Sequence, residues 1–301
     1  MPPKLELSHH VDRGLDLMHD GVRLFRYTYR PDVAQSESPK PYFHPLRTLS
    51  GNTVTIFRPH DHRWHTGLAM TLSHVADQNF WGGPSYVQGQ GYVQLNNNGT
   101  QRHDAWSTID VNQNRLLLEQ QLTWITQGGQ PWFEENRTMQ AGQIDPVEGR
   151  WTLDFNSCLK NVSDRVLAIG SPTTEGRASA GYGSLFWRGP RCFTFGHWLA
   201  SDDRTDPEKL RGQRSPWLAF VGTHDRIDAQ STLVFVDHPS NPRYPTQWFV
   251  RSDPYACASF AFMFDQEYQF QPEAVLNLTY RMIIADGALS RDTIESLIDL
   301  T

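Results

Sequence analysis

The densest group of side chains able to do chemistry is the run Arg58-Pro59-His60-Asp61-His62-Arg63-Trp64-His65. Three of the chain's 12 histidines fall within it, directly after the strand-like segment Thr53–Phe57. Histidine is the side chain whose proton moves near neutral pH, and the neutral imidazole is also the commonest metal ligand. Such a group at a strand end points to acid/base work or to metal binding.

A second polar patch spans Asp237–Asn241 and is followed by Trp248. Pro239, Pro242 and Pro245 fix the backbone around His238 and Asn241, which holds polar groups in place at little further entropy cost. The same residue types also build ordinary turns. A third, glycine-rich segment, Thr174–Arg188, offers Glu175 and Arg188; it lacks the GxxxxGK[ST] pattern of a phosphate loop, and no helix follows it. Glu134 and Glu135 are neighbours on an expected strand and point to opposite sides, so they cannot face each other as an acid/base pair. At least one is expected on the solvent side near Arg137.

The elements that must position these groups are strands. Leu116, Leu118, Leu122 and Trp124 share one parity while Glu119, Gln121 and Thr123 take the other, as a half-buried strand requires. Trp151, Leu153 and Phe155 repeat the pattern, as do Leu276, Leu278, Tyr280, Met282 and Ile284. Gly128-Gly129 predicts a hairpin between Leu116–Thr126 and Pro131–Met139, and Asn98-Gly99 predicts another after Tyr92–Leu95. No strand-helix-strand rhythm supports a doubly wound nucleotide-binding fold. The one helix foreseen is terminal, with Ser290 as N-cap and Ile294, Leu297 and Ile298 at helical spacing, packed on a sheet edge. Two long irregular stretches, 30–45 and 201–216, are expected to be connections or lids.

Composition agrees. Aromatic residues make up 12% of 301 residues, a richness that suits rings packed across pleated sheets, and one domain over 1–301 is the default organisation. A net charge of −6 supplies no basic footprint, so neither a nucleic-acid backbone nor an anionic membrane surface is an expected partner. No apolar run approaches the about 18 residues a spanning helix needs. The first residues lack the basic-then-apolar order of a secretion signal. Cys158, Cys192 and Cys257 are odd in number and lack CxxC spacing, which argues against a disulfide framework or a structural zinc site and favours a reducing cytoplasm.

Five ordered segments together resemble one family: 40–46 (KPYFHPL), 58–68 (RPHDHRWHTGL), 77–81 (DQNFW), 183–188 (GSLFWR) and 237–248 (DHPSNPRYPTQW). They are similar to the PmoA-like family of bacterial proteins, often labelled "methane oxygenase PmoA", from about Pro41 to Gly287. That label names an activity of an integral membrane protein, and without a spanning segment the activity is set aside. The resemblance implies a large antiparallel β-sandwich of the galactose-mutarotase-like supersandwich kind, encoded near sugar-handling genes. It places the family's polar motif positions on His44, Asp61, His62, His65, Arg188, Asp237, His238 and Asn241, with Trp64 where a histidine is frequent.

The function expected from these residues is a carbohydrate-active enzyme working at or near the anomeric centre of a sugar or glycoside, as an epimerase, hydrolase or lyase. Trp64, Trp81 and Trp248, read as loop tryptophans, would stack on sugar faces, and Arg, Asn and His side chains would meet hydroxyls. His62 or His65 is cast as acid, supported by His238, and Glu175 or Asp237 as base. His44, Asp61, Arg188 and Asn241 join Trp81 and Trp248 as binding residues, and all these motifs are expected to meet in one cleft. No cofactor is required, and a homo-oligomer is compatible with the sequence. Two rivals stand beside this reading: a non-catalytic sugar-binding module, and a metal enzyme drawing on His44, His62, His65 and His238.

Overall fold

The computed structural model describes residues 5–299. Two eight-stranded sheets carry the fold, and every ladder between their strands is antiparallel. The first sheet runs in the order Leu5–His10, Gly14–His19, Val22–Thr28, Tyr42–Leu46, Leu68–Thr71, Ser184–Arg188, Cys257–Phe260, Trp248–Arg251. The second runs His197–Ala200, Trp217–Thr223, Gln230–Asp237, Val275–Asp286, Arg150–Asn161, Pro131–Asp145, Leu116–Ile125, Thr100–Val111. The expected antiparallel β-sandwich with a short C-terminal helix is what the chain forms.

The alternation read in the sequence becomes the sandwich core. Leu118, Trp124, Trp151, Leu153, Leu278 and Tyr280 from the second sheet share one apolar cluster with Leu15, Phe25, Phe43, Leu185 and Trp187 from the first. Aromatic pairs cross the interface, Phe25 with Trp151 at 6.1 Å and Trp187 with Phe220 at 5.4 Å between ring centres. Glu134 is exposed, but its neighbour Glu135 enters the core and meets Arg137 through two hydrogen bonds of 2.8 Å. Trp124 Nε1 and Ser157 Oγ also donate to Glu135, and Arg137 donates to Tyr27 Oη of the first sheet. A buried ion pair is tolerated here because its polar atoms find partners, which offsets the desolvation of both charges.

Two local expectations need adjustment. Gly128-Gly129 does turn the hairpin between Leu116–Ile125 and Pro131–Asp145. Asn98-Gly99 does not turn one: Gly91–Val93 pairs with Ser85–Val87, and Thr100–Val111 pairs with Leu116–Ile125. Gly99 is instead required by contact, since a Cβ there would sit 2.2 Å from the Phe80 ring. The helix Arg291–Asp299 starts where expected, with Ser290 Oγ accepting from the Thr293 amide at 3.2 Å. It lies on the outer face of the second sheet rather than its edge, because Ile294 packs with Trp217, Ala219, Val234 and Ile283, the outward parity of three adjacent strands. Among the described residues, no helix is long and apolar enough to cross a membrane.

Candidate active site

The strands Ser184–Arg188 and Trp248–Arg251 decide where the site lies. Trp187 turns inward to Phe220 and Phe235 of the second sheet, and Trp248 packs inward on Phe260. By the two-residue period of a strand, Phe186, Arg188, Phe249 and Arg251 must face the other way. Over that outer face the chain builds a cleft of about 340 Å³, lined by Phe186, Phe249 and Arg251 from the sheet and by His62, Trp64, His65, Trp81, Pro84, Tyr92, Arg177, Tyr182, Pro254 and Tyr255 from loops. The volume is at the lower end of small-molecule sites, which run from about 300 to 1,000 Å³.

The histidine segment reaches the cleft by two consecutive tight turns. The His62 amide donates to Pro59 O at 3.0 Å and the His65 amide to His62 O at 3.0 Å, while Arg58 N closes the loop on His65 O at 2.8 Å. This three-residue step brings His62 and His65 side by side, rings stacked 4.6 Å apart at 13°. Trp64 also lines the cleft and is seated on Gly82 and Gly83; a Cβ on Gly83, whose φ is +68°, would come within 2.6 Å of the indole. The loop carrying Trp81 is pinned from behind by Lys40, whose Nζ donates to the carbonyls of Glu37, Ser38 and Trp81. Burial pulls the Lys40 ammonium down to about 7.

Arg188 organises the polar side of the cleft. Only 2% exposed, it donates through Nη1 to His65 Nδ1 at 2.8 Å and through Nη2 to Asp61 Oδ2 at 3.0 Å, with its guanidinium 3.4 Å from the centre of the Tyr255 ring. Asp61 Oδ2 also meets His62 Nδ1 at 2.9 Å. Burial alone would raise the Asp61 carboxyl, but hydrogen bonds from His62 and Arg188 and the Arg188 charge hold it well below the usual carboxylate range. Asp61 is therefore an anion that only accepts.

These contacts set the two imidazoles in opposite senses. A guanidinium only donates, so His65 Nδ1 must carry the lone pair and its proton sits on Nε2. Burial, then the charges of Arg188 and His62, keep His65 neutral by lowering its proton affinity far below the ordinary value. A carboxylate only accepts, so His62 carries its proton on Nδ1 and leaves the Nε2 lone pair free. Burial lowers His62 too, although Asp61 works against that shift. One wall thus holds a hydrogen-bond donor and a proton acceptor, the latter oriented by a carboxylate behind it.

The aromatic walls are continuous. Trp81 lies 4.5 Å from both Tyr182 and Phe186, Tyr182 lies 5.3 Å from Phe249, and His65 meets Trp81 at 5.3 Å. Tyr182 and Tyr92 join through their hydroxyls at 2.9 Å, and Arg177 donates to the Tyr92 hydroxyl.

Of the residues singled out in the sequence, His62, Trp64, His65 and Trp81 line the cleft, with Asp61 and Arg188 hydrogen-bonded directly behind them. The others do not meet there, and the expectation of one shared site is corrected. Asp237 is 2% exposed and caps its loop, accepting from Asn241 Nδ2 at 2.7 Å and the Thr246 amide at 2.8 Å; burial raises it to about 6. Asn241 ties that loop to Thr279 of the second sheet, and His238 bonds Ser240 at 2.7 Å. Asp237 and His238 border a different depression, beside Tyr244 and Arg281. The patch is the proline-fixed turn that its composition equally allowed.

Trp248, read as a loop tryptophan for stacking, is fully buried and donates from Nε1 to Ser215 O at 2.8 Å. Its parity on a strand sends it inward. His44 bonds Thr55 Oγ1 at 3.0 Å and stacks on Phe57, outside the cleft lining. Glu175 is half-buried, with its carboxyl raised by burial and by Glu267, and it too is absent from the lining. His44 and His238 thus lie apart from the His62–His65 pair, and among the described residues no three His, Cys, Asp or Glu side chains group as a metal site. Sequence reasoning missed Arg177, Tyr182, Phe249, Arg251 and Tyr255. Outward parity beside Trp248 could have flagged Phe249 and Arg251; nothing local marks Tyr255.

Fold and site together define a β-sandwich protein with an aromatic, histidine-bearing cleft on the outer face of one sheet. The chain belongs to the "Family of unknown function (DUF6807)", whose model matches residues 14–299. This replaces the PmoA-like assignment, to which nothing in the matched family points. No curated protein matches the sequence. Among solved structures it is similar to an α-galactosidase from Lactobacillus brevis, with 9% identity, a TM-score of 0.40, and coverage of 96% of this chain and 40% of that one. The chain thus spans about two fifths of that enzyme's length. It is also similar to a galactose mutarotase related enzyme from Lactobacillus acidophilus (8% identity, TM-score 0.36, 95% and 98% covered). A galactose 1-epimerase from Lactobacillus acidophilus NCFM stands at 7% identity, TM-score 0.38, with 95% and 99% covered.

Proposed function

We propose that the protein is a carbohydrate-active enzyme that moves a proton at or near the anomeric centre of a sugar held in the outer-face cleft. The observation that carries this reading is the opposed polarity of His62 and His65 within aromatic walls. Sugars present C–H faces to rings and hydroxyls to donors and acceptors, and this cleft offers both kinds of surface. His62 Nε2 is suited to accept the proton of the anomeric hydroxyl, with Asp61 stabilising the imidazolium that forms. As the bond from C1 to the ring oxygen opens, His65 Nε2–H holds that oxygen, and the His62 imidazolium returns the proton to it. Closure on the other face of C1 inverts the anomeric centre with no net proton change.

The base is then His62 backed by Asp61, in place of the Glu175 or Asp237 expected from sequence. Among the described residues no carboxylate lines the cleft, which argues against hydrolysis by a carboxylate pair. The same feature favours, as a second reading, a sugar-binding module without turnover. The three free thiols fit a cytoplasmic setting.

The test is exchange spectroscopy of anomer interconversion across a panel of aldoses, run beside calorimetric binding of the same sugars. His62→Ala should slow interconversion by roughly 10²–10⁴-fold. Binding without turnover in the wild type would install the binding-module reading, and absence of both would remove the sugar reading altogether.

A further inference from the structure

The protein carries a net charge of −6, yet the cleft lining holds Arg177 and Arg251 and no Asp or Glu among the described residues. Nearby arginines are spent on carboxylates: Arg58 on Glu37, Arg188 on Asp61, Arg211 on Glu208. Arg251 is different. Its guanidinium sits 5.5 Å from the centre of the Phe249 ring, its Nε is buried with no hydrogen-bond partner, and among the described residues no carboxylate pairs with it. Arg177 donates to the Tyr92 hydroxyl and stands 4.8 Å from that ring's centre, likewise without a paired carboxylate among the described residues. Half-buried cations held over ring faces, with donors left over, form a site for an anion. Uncompensated positive charge in a low-dielectric cleft costs free energy, and an anionic ligand would recover it.

We propose that the substrate is an anionic sugar, one bearing a carboxylate or a phosphate group, which Arg251 and Arg177 receive while the ring lies on the Trp81 side against His62 and His65. This rests on the sugar reading above and narrows it to a charge class. Arg251 takes the leading part because its donors are unspent and its charge reaches His62. A guanidinium forks onto either kind of oxyanion, so the geometry names the shared chemistry and the probes separate its two sources.

Calorimetry of the full chain at fixed ionic strength, with galacturonate, galactose 6-phosphate and galactose, tests this. At least one anionic sugar should bind roughly 10- to 100-fold more tightly than galactose, the range a charge-assisted hydrogen bond supplies. Which one does so identifies the carboxylate or the phosphate as the group recognised. Arg251→Gln should narrow the preference to within about 3-fold, whereas Arg226→Gln, the same charge change on an exposed turn, should preserve it. If Arg251→Gln does not fold, the wild type decides: added salt should weaken the anionic sugar and spare galactose. Equal binding of all three, insensitive to Arg251 and to salt, overturns the charge class and leaves the sugar reading intact. Binding of none of the three, with no sugar of the aldose panel bound either, removes both.

Discussion

Replacing Asp61 by Asn keeps the side chain's shape and removes one negative charge. Among the described residues Asp61 is the only carboxylate paired with Arg188, whose side chain is 2% exposed while that of Asp61 is 29% exposed. Stranding a fully buried charge costs about 3–5 kcal/mol; water screening at the Asp61 side reduces this to about 1–3 kcal/mol. For a domain of this size the melting temperature should fall by roughly 2–5 °C. The sign with pH follows from the direction of the shift. The folded carboxyl is held below its unfolded value, so its stabilisation is complete at pH 7 and is lost as pH falls below about 4. The gap between wild type and Asp61→Asn should close over that acid range. A second effect is chemical. Arg188 Nη2 and His62 Nδ1 meet the same Asp61 oxygen, Oδ2, so an Asn oxygen in that place still accepts from both and the His62 tautomer is kept, while the charge that stabilises the His62 imidazolium is lost. Long-range nitrogen–proton NMR correlation of the imidazoles should show His62 Nδ1–H in both proteins, with turnover of the variant lower because its imidazolium has lost the neighbouring carboxylate charge. A wild-type His62 protonated on Nε2, or unchanged turnover and melting temperature in the variant, would refute the assignment of His62 as base.

Trp248→Ala should cost about 3–5 kcal/mol of stability in denaturant unfolding, since it empties a fully buried indole site, and should not selectively weaken sugar binding in calorimetry. Gly83→Ala introduces a side chain at φ +68° and a Cβ 2.6 Å from Trp64, so thermal unfolding should show a loss of about 1–3 kcal/mol, with Trp64 displaced from the cleft and ligand affinity reduced. Acid titration followed by circular dichroism should show stability falling from pH 6.5 towards about 4, because burial lowers His44, His74 and His103 to about 4 and unfolding lets them charge. Each contributes at most about 1.4 kcal/mol per pH unit while it titrates, and a flat stability curve over that range would contradict their burial as neutral rings.

The sequence by itself determined what depends on neighbours along the chain. Period-two alternation in Leu116–Trp124, Trp151–Phe155 and Leu276–Ile284 was enough to make them strands, since one face of each had to leave water, and Gly128-Gly129 was enough to join two of them. Ser290 marked the last helix for the same local reason. The close turns of Pro59–His65 likewise placed His62 beside His65, so half of the site was legible as a cluster. Tertiary structure decided which distant residues join it. Arg188 reaches Asp61 and His65 across more than 120 positions because Ser184–Arg188 lies next to Leu68–Thr71 in the first sheet. Arg251 and Tyr255 arrive because their hairpin closes that sheet on the other side. The Asp237–Asn241 patch looked equally polar in the sequence, but its strand pairs in the second sheet, so its carboxylate caps a turn away from the cleft. Composition records which groups a chain owns; sheet order, set by the burial of whole faces, determines which of them share a cavity and which direction each proton points.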